Sequence, residues 1–361
     1  MNDTMMLALA IDRDPSADGF LSEAVYGLSQ VPKTLPCKFL YDEEGSRLFN
    51  EICNLPEYYP TRTETRILCD NIHEVVGLIG AGCRLVEFGS GTSTKTRHLL
   101  NHLPDLSSYV PIDISGAQLF ESATRLAHEF PDLAIRPLEA DYGEISKLPD
   151  SDQEARRTVA FFPGSTIGNF TPGKAVAFLG KVASLCGTDG GLLIGVDRKK
   201  HRRVLEPAYN DRNGVTARFN LNILARANRE LGADFDLSSF RHRAPYNDSQ
   251  SRIEMHLVST RFQIVHLGSN AFRFRQGEHI TTEYSYKYTL QGFACLAMKA
   301  GFELVKSWED RHQLFSVLFL RVKHPPLLTE DLSTSDGEID RFIGGPDIDD
   351  RTSPEALSQL R

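Results

Sequence analysis

Two glycines, Gly89 and Gly91, follow the short apolar run Arg84–Phe88 in the stretch Glu87-Phe88-Gly89-Ser90-Gly91-Thr92. Glycine permits a tight turn after a strand and lets backbone approach a ligand closely. The next acidic residue at a predicted strand end is Asp113, in Pro111-Ile112-Asp113-Ile114-Ser115. A carboxylate there suits both hydroxyls of a ribose. A dinucleotide loop needs a third glycine so that a helix can seat a pyrophosphate; Thr94 stands in that place, which favours a ligand without phosphates. Lys95 is positioned to meet a carboxylate, the plain alternative being a first-turn surface lysine. Asp141-Tyr142 follows the third predicted strand, within reach of an adenine; alone, the pair reads as a surface turn.

Other patterns compete. Gly168-Asn169-Phe170-Thr171-Pro172-Gly173-Lys174-Ala175 is close to a phosphate-binding loop, but Ala175 replaces the hydroxyl residue that ligates magnesium and Pro172 lacks a backbone donor. His98 and His102 have metal-ligand spacing on a predicted helix, yet Leu99 sits where a zinc protease has its glutamate, so both read as helix-surface residues. The six cysteines form no Cys-x-x-Cys pair, and no metal is expected.

These residues need a frame. Arg84–Phe88, Ser108–Ile112, Ala134–Leu138, Thr158–Phe162 and Leu192–Val196 read as strands, with helices at Thr94–Leu103 and Ser115–Phe130. The alternation predicts an α/β fold with a mostly parallel sheet covered by helices on both faces. Phe302–Trp308 and Leu314–Val322 read as an antiparallel pair at one sheet edge. Between them and the parallel part, helix Val215–Leu231 and strands Arg252–Ser259 and Phe272–Arg275 predict an inserted α+β lobe, a lid or substrate wall beyond the strand ends. Gly45–Ile52 reads as a helix, the segment around Pro56 and Pro60 as a stiff irregular loop, and the basic run Arg198–Arg203 as a solvated helix start. The expected organisation is 1–62, an N-terminal segment contributing to the substrate lobe; 63–197, the cofactor domain; 198–288, the inserted lobe; 289–324, strands completing the sheet; and 325–361, an acidic solvated tail.

Hydrophobic residues make up 41% of the 361 and charged residues 24%, enough for a full core and not the makeup of a disordered chain. A net charge of −8 argues against nucleic acid and anionic membranes and leaves a small molecule as the expected partner. Absence of a long apolar run or a basic, apolar leader predicts a cytoplasmic protein, with a monomer as the default.

Several segments together resemble one family: Leu40-Tyr41-Asp42, LPEYYPTRTE, EFGSGTSTKT, VPIDIS, GSTIGNFTP, AYNDRNGVTARFN, RIEMHL and TTEYS look like the histidine-specific Nα-methyltransferases of ergothioneine biosynthesis, over about Thr34 to Val322. The resemblance implies a Rossmann-like class I methyltransferase fold, S-adenosylmethionine as cofactor, and three methylations of the α-amine of L-histidine to give hercynine. That cofactor carries no phosphate, in accord with Thr94. By the same resemblance Gly89, Lys95, Asp113, Asp141 and Tyr142 are cofactor contacts; Tyr58, Asn169, Tyr209, Glu283 and Ser285 are histidine contacts; Tyr41 lines the same site, and Tyr41 and Asn169 are the candidate catalytic residues. Met255 is a candidate apolar wall against the ring. Singly, each has a plainer reading: loop or core packing for the tyrosines and Met255, a turn residue for Asn169, solvated strand residues for Glu283 and Ser285. The basic stretch Asp197–Arg203 and the acidic tail depart from the family pattern. Another free amino acid such as tryptophan is the alternative substrate, and nucleotide binding through Gly168–Lys174 the alternative class of function.

Overall fold

A computed structural model of the chain describes residues 17–91, 93–103, 105–149 and 155–323; the expected acidic tail lies outside the described residues. Ahead of the glycine loop come α1 (Ala17–Leu28), β1 (Lys33–Thr34), α2 (Glu43–Cys53), α3 (Tyr59–Asp70) and α4 (Ile72–Ile79). Strands and helices then alternate: β2 (Cys83–Phe88), α5 (Thr94–Leu100), β3 (Ser108–Asp113), α6 (Gly116–Glu129), β4 (Leu138–Glu139), β5 (Arg157–Phe162), α7 (Pro172–Cys186) and β6 (Gly191–Asp197). Next are α8 (Arg202–Tyr209), α9 (Val215–Leu231), β7 (Phe240–Arg243), β8 (Tyr246–Asn247), β9 (Arg252–Ser259), β10 (Gln263–Leu267), β11 (Asn270–Phe274) and β12 (His279–Tyr286). The last three are α10 (Leu290–Lys299), β13 (Phe302–Glu309) and β14 (Phe315–Val322).

The runs of consecutive apolar residues in β5 and β6 have a direct physical cause. Val159, Phe161 and Leu193 bury one face of the main sheet under α3, α4, α5 and α6, while Ala160, Phe162, Leu192 and Ile194 bury the other under α7 and α10. A strand covered on both sides has no reason to alternate with polar residues. The sheet order is β13-β14-β6-β5-β2-β3-β4, with β14 antiparallel to both neighbours and the remaining pairs parallel. This is the Rossmann-like class I arrangement, and it places the carboxyl ends of β2, β3, β5 and β6 along one edge.

A second sheet, β1-β12-β9-β7 with β8 also on β9, packs against α1, α2, α8 and α9. Its β1 pairs in parallel with β12 (Lys33 with Ile280, Thr34 with Thr281), so the N-terminal segment and the inserted one share a core. Helix α3 runs across residue 62, the expected boundary, and carries Ile67 and Leu68 into the core of the main sheet.

Three local expectations are corrected. The irregular loop around Pro56 and Pro60 gives way at Tyr59 to helix α3, with Pro60 in the first turn, where its missing N–H costs no intrahelical bond. The strand expected at Ala134–Leu138 forms only at Leu138–Glu139, with a single bridge from Ile135 to Tyr109: Arg136 N–H reaches the Tyr109 carbonyl, but Pro111 of β3 has no N–H for the next rung. Helix α5 stops at Leu100, so His102 lies beyond it, and among the described residues no cluster of three or more His, Cys, Asp or Glu side chains is placed to hold a metal.

Candidate active site

A cavity of about 1090 Å³ opens where the ends of β2 and β3 face β12, bordered by α1, α2 and the segment Leu35–Tyr41. Its size exceeds the usual range for a single small ligand.

On the main-sheet side, Gly89 and Gly91 adopt φ of +71° and +48°, and the space that a Cβ would take on either is open. Asp113 fixes this turn: Oδ2 accepts from Gly91 N–H at 2.9 Å and Oδ1 from Ser115 N–H at 2.9 Å. Burial raises its pKa against the pull of these amides. A carboxylate offers about four acceptor positions, so capacity remains for two hydroxyls. Asp141 accepts from Gly143 N–H at 2.9 Å and pairs with Lys38 at 3.1 Å; Lys38 in turn pairs with Glu23 of α1 at 3.0 Å. Tyr142 sits among Phe88, Phe162, Phe170 and Phe178, an apolar bed for a flat ring. Glu87, in the glycine motif but given no role by the sequence, is fully buried, bonded by Thr96 and Tyr109, and pushed up to about 7 by burial.

Lys95 lines the cavity, but its ammonium already has a protein partner, Glu64 of α3. Glu64 is itself buried and accepts from Gly164 N–H at 2.8 Å, and Gly195 leaves it room: a Cβ there would lie 1.9 Å from its Oε1. The carboxylate that Lys95 meets in this structure is that of Glu64.

On the opposite wall stand Tyr41, Tyr58, Asn169 and Glu283. Tyr41 follows a 3₁₀ turn, Cys37–Leu40, and is held edge-on by Phe49 and Phe219. Tyr58 caps the start of α3 and meets Phe49 and Tyr209 edge-on. Burial pushes both phenols well above their ordinary pKa, so both are neutral near pH 7. Asn169 ends the turn Thr166–Asn169, which is laid directly on β12: a Cβ on Gly168 would lie 2.8 Å from the Tyr286 carbonyl oxygen. That glycine serves close packing, and the helix after it begins with Pro172, so the loop does not form a phosphate cradle. Glu283 lies just past a bulge in β12, opposite Met255. It is 9% exposed, its Oε2 is buried without a partner, and burial raises its pKa to about 7 against the pull of Lys287.

Nine of the twelve candidate residues therefore face one cavity: Gly89, Lys95, Asp113, Asp141, Tyr142, Tyr41, Tyr58, Asn169 and Glu283. The other three lie behind its wall. Tyr209, Ser285 and Met255 are buried in or beside the second sheet's core; Tyr209 is one ring behind Tyr58, and its hydroxyl is 2.8 Å from that of Ser285. Met255 supports Glu283 from the next strand instead of forming the wall.

The basic run after β6 is also different from its expected solvated form. Lys200 is buried, donates to Tyr59 and pairs with Asp197; burial lowers its pKa to about 8. The sequence does not signal this ion pair, since a lysine within a run of basic residues reads as solvated.

The space at Gly89 and Gly91, the spare acceptor positions of Asp113 and the aromatic bed at Tyr142 fit a ribose and an adenine without phosphates. Residues 20–322 match a family described as histidine-specific, S-adenosylmethionine-dependent methyltransferases. The chain is 39% identical over 313 residues to the histidine N-alpha-methyltransferase of Mycolicibacterium smegmatis, covering 85% of this chain and 96% of that one. It is 41% identical over 290 residues to the protein of the same name from Mycobacterium tuberculosis, covering 79% and 89%. Ergothioneine biosynthesis protein 1 of Neurospora crassa is 30% identical over 286 residues, 77% of this chain and 32% of that longer one. The chain belongs to the histidine-specific methyltransferase family and is an S-adenosylmethionine-dependent enzyme.

Proposed function

We propose that this enzyme methylates the α-amine of free L-histidine three times, giving hercynine. The observation that carries the reading is the unpartnered buried oxygen of Glu283, in the same cavity as the Asp113 loop. A buried acceptor without a partner is costly, and a ring N–H satisfies it. The names of the two bacterial relatives point the same way.

When bound, S-adenosylmethionine supplies an electrophilic methyl group that an amine lone pair displaces in line. The protein's task is to hold the nitrogen on that axis and to present it unprotonated. Asn169, whose amide has no partner among the described residues, can accept from the amine and donate to the carboxylate. Tyr41 and Tyr58 stay neutral and act as hydrogen-bonding groups, not bases. An ammonium beside the cofactor's positive charge is disfavoured, so the amine loses its proton on binding. On this reading 63–197 with 289–324 hold the cofactor, and 1–62 with 198–288 hold the amino acid.

The test is mass spectrometry of histidine incubated with enzyme and cofactor. Mono-, di- and trimethylated products in succession support the proposal; bound cofactor with unmodified histidine refutes it. A cytoplasmic monomer is part of the proposal. Six free cysteines favour a reducing compartment, and no helix among the described residues is long and apolar enough to cross a membrane. Sedimentation of the pure enzyme tests the oligomeric state.

A further inference from the structure

Glu283 owes its side of β12 to a break in the strand's alternation. Ile280 faces Leu257 on the neighbouring strand β9, and Glu283 faces Met255; Ile280, Leu257 and Met255 all lie in the core of the second sheet. Residues directly opposite one another in an antiparallel pair share a face. Ile280 and Glu283 are an odd number of positions apart, which in a regular strand sends two side chains to opposite faces. The mismatch is taken up at Thr282. Thr281 pairs with His256 and Glu283 with Met255, the adjacent residue, so Thr282 is the extra residue of a bulge. A bulge interrupts the ladder and leaves polar groups that need other partners.

Asn220 of α9, fully buried, supplies them. Its Nδ2 donates to the His256 carbonyl, opposite the bulge, at 3.2 Å, and its Oδ1 accepts from the Thr282 hydroxyl. The same hydroxyl lies 3.2 Å from the carbonyl of Met255, the other residue facing the bulge. The second N–H of Asn220 donates to His242 Nδ1 at 2.9 Å, and His242 Nε2 donates to the Tyr209 carbonyl at 2.7 Å. A carbonyl only accepts, so Nε2 carries the ring proton and Nδ1 is bare. Burial lowers the His242 pKa and keeps that ring neutral. Both N–H groups of the amide are then used and its orientation is fixed, because a flipped amide would turn its oxygen toward two acceptors. Thr281, Thr282 and Glu283 all border the cavity, so the bulge that Asn220 holds is part of the cavity wall.

We propose that Asn220 is a positioning residue that clamps the bulge at Thr282 and so holds the Glu283 carboxylate on the cavity face of β12, where it recognises a ring N–H. This rests on the histidine reading above and adds to it the group that aims the ring acceptor. Asn220 acts from behind the wall, through Thr282 and the backbone opposite it. Without the clamp the bulge loses its side-chain partners, and a strand that regains regular alternation turns Glu283 to the other face.

The experiment compares histidine with 4-thiazolylalanine, whose ring is of the same size and has no N–H, by calorimetry on the full chain saturated with S-adenosylhomocysteine. Wild-type protein is expected to prefer histidine at least about tenfold, the worth of a hydrogen bond to a charged acceptor. In Asn220→Ala the preference falls to about threefold or less, with affinity for S-adenosylhomocysteine retained. Adding Asn220→Ala to Glu283→Ala, in which the preference is already lost, causes no further fall. An amide that only supports the fold would weaken both ligands alike and leave their ratio intact, and that result overturns the proposal. Thr282→Val removes the hydroxyl that Asn220 holds and Thr282→Ser keeps it, and this pair decides the matter where Asn220→Ala fails to fold. The preference must fall in Thr282→Val and survive in Thr282→Ser; survival in Thr282→Val, or equal loss in both, overturns the proposal. Wild-type protein that binds both ligands equally, or that binds cofactor and leaves histidine unmethylated, overturns the parent reading and the proposal together. A wild-type preference that persists in Asn220→Ala and Thr282→Val overturns the proposal alone.

Discussion

Glu283→Gln should gain stability relative to wild type as pH rises while loosening its hold on histidine, and both effects can be sized. Burial raises this carboxyl from 4.5 to about 7, against the pull of Lys287. That difference corresponds to roughly 3 kcal/mol against the charged form. The folded pKa lies above the unfolded one, so the folded state binds more protons between about pH 4.5 and 7. The carboxyl costs nothing below that window, its penalty grows as pH rises through it, and the full roughly 3 kcal/mol is present above pH 7. Glutamine keeps the shape and removes the charge. Its amide adds a buried donor whose cost, about 1–3 kcal/mol, is the same at every pH and cancels when two pH values are compared.

The assay is urea unfolding of wild type and Glu283→Gln at pH 8 and pH 5. The stability difference between the two proteins should shift in favour of the variant by about 2 kcal/mol from pH 5 to pH 8. At pH 8 the variant should bind histidine about 10- to 150-fold more weakly, the worth of a hydrogen bond to a charged group, with cofactor affinity unchanged. A stability difference that is flat between the two pH values would refute the claim that Glu283 is a desolvated acid. Histidine affinity within threefold of wild type would refute its role as ring acceptor.

Asp113→Asn leaves one acceptor oxygen for Gly91, Ser115 and any ribose hydroxyls; affinity for S-adenosylhomocysteine by calorimetry should drop about 10- to 100-fold. Lys38→Ala breaks the link from α1 and the Cys37–Leu40 turn to Asp141; the pairs are partly exposed, so a two- to fivefold rise in the cofactor KM, about the worth of such pairs, is the expected size. Asn169→Asp puts a carboxylate beside the amine and favours the ammonium. Its kcat–pH profile should move about one to two pH values upward, lowering kcat about 10- to 100-fold at pH 7, and an unshifted profile would remove Asn169 from the amine.

What the sequence disclosed and what it hid follow from one physical distinction. The glycine turn, Asp113 and the apolar strands around them are local: Gly89, Gly91 and Asp113 meet because β2 and β3 are adjacent parallel strands, a relation the alternation of strands and helices already implies. The buried charges are not local. Tyr59 reaches Asp197 and Lys95 reaches Glu64 only through the packing of α3 against the main sheet, and Lys287 reaches Asp197 only where the second sheet meets the first. No periodicity marks a lysine as buried, and the bare sequence assigns Lys200 to a solvated run and gives Lys287 no role. One local trace of such a partner does exist. Gly195 interrupts the apolar run Leu192-Leu193-Ile194-Gly195-Val196, where a larger residue would pack better, and an isolated glycine in a strand signals the close approach of another group. In the folded protein that group is the Glu64 carboxylate that holds Lys95. Ser285 and Tyr209 need the same long-range information: the strand alternation puts Ser285 on the face of Glu283, and only the fold brings the Lys287 ammonium to both hydroxyls.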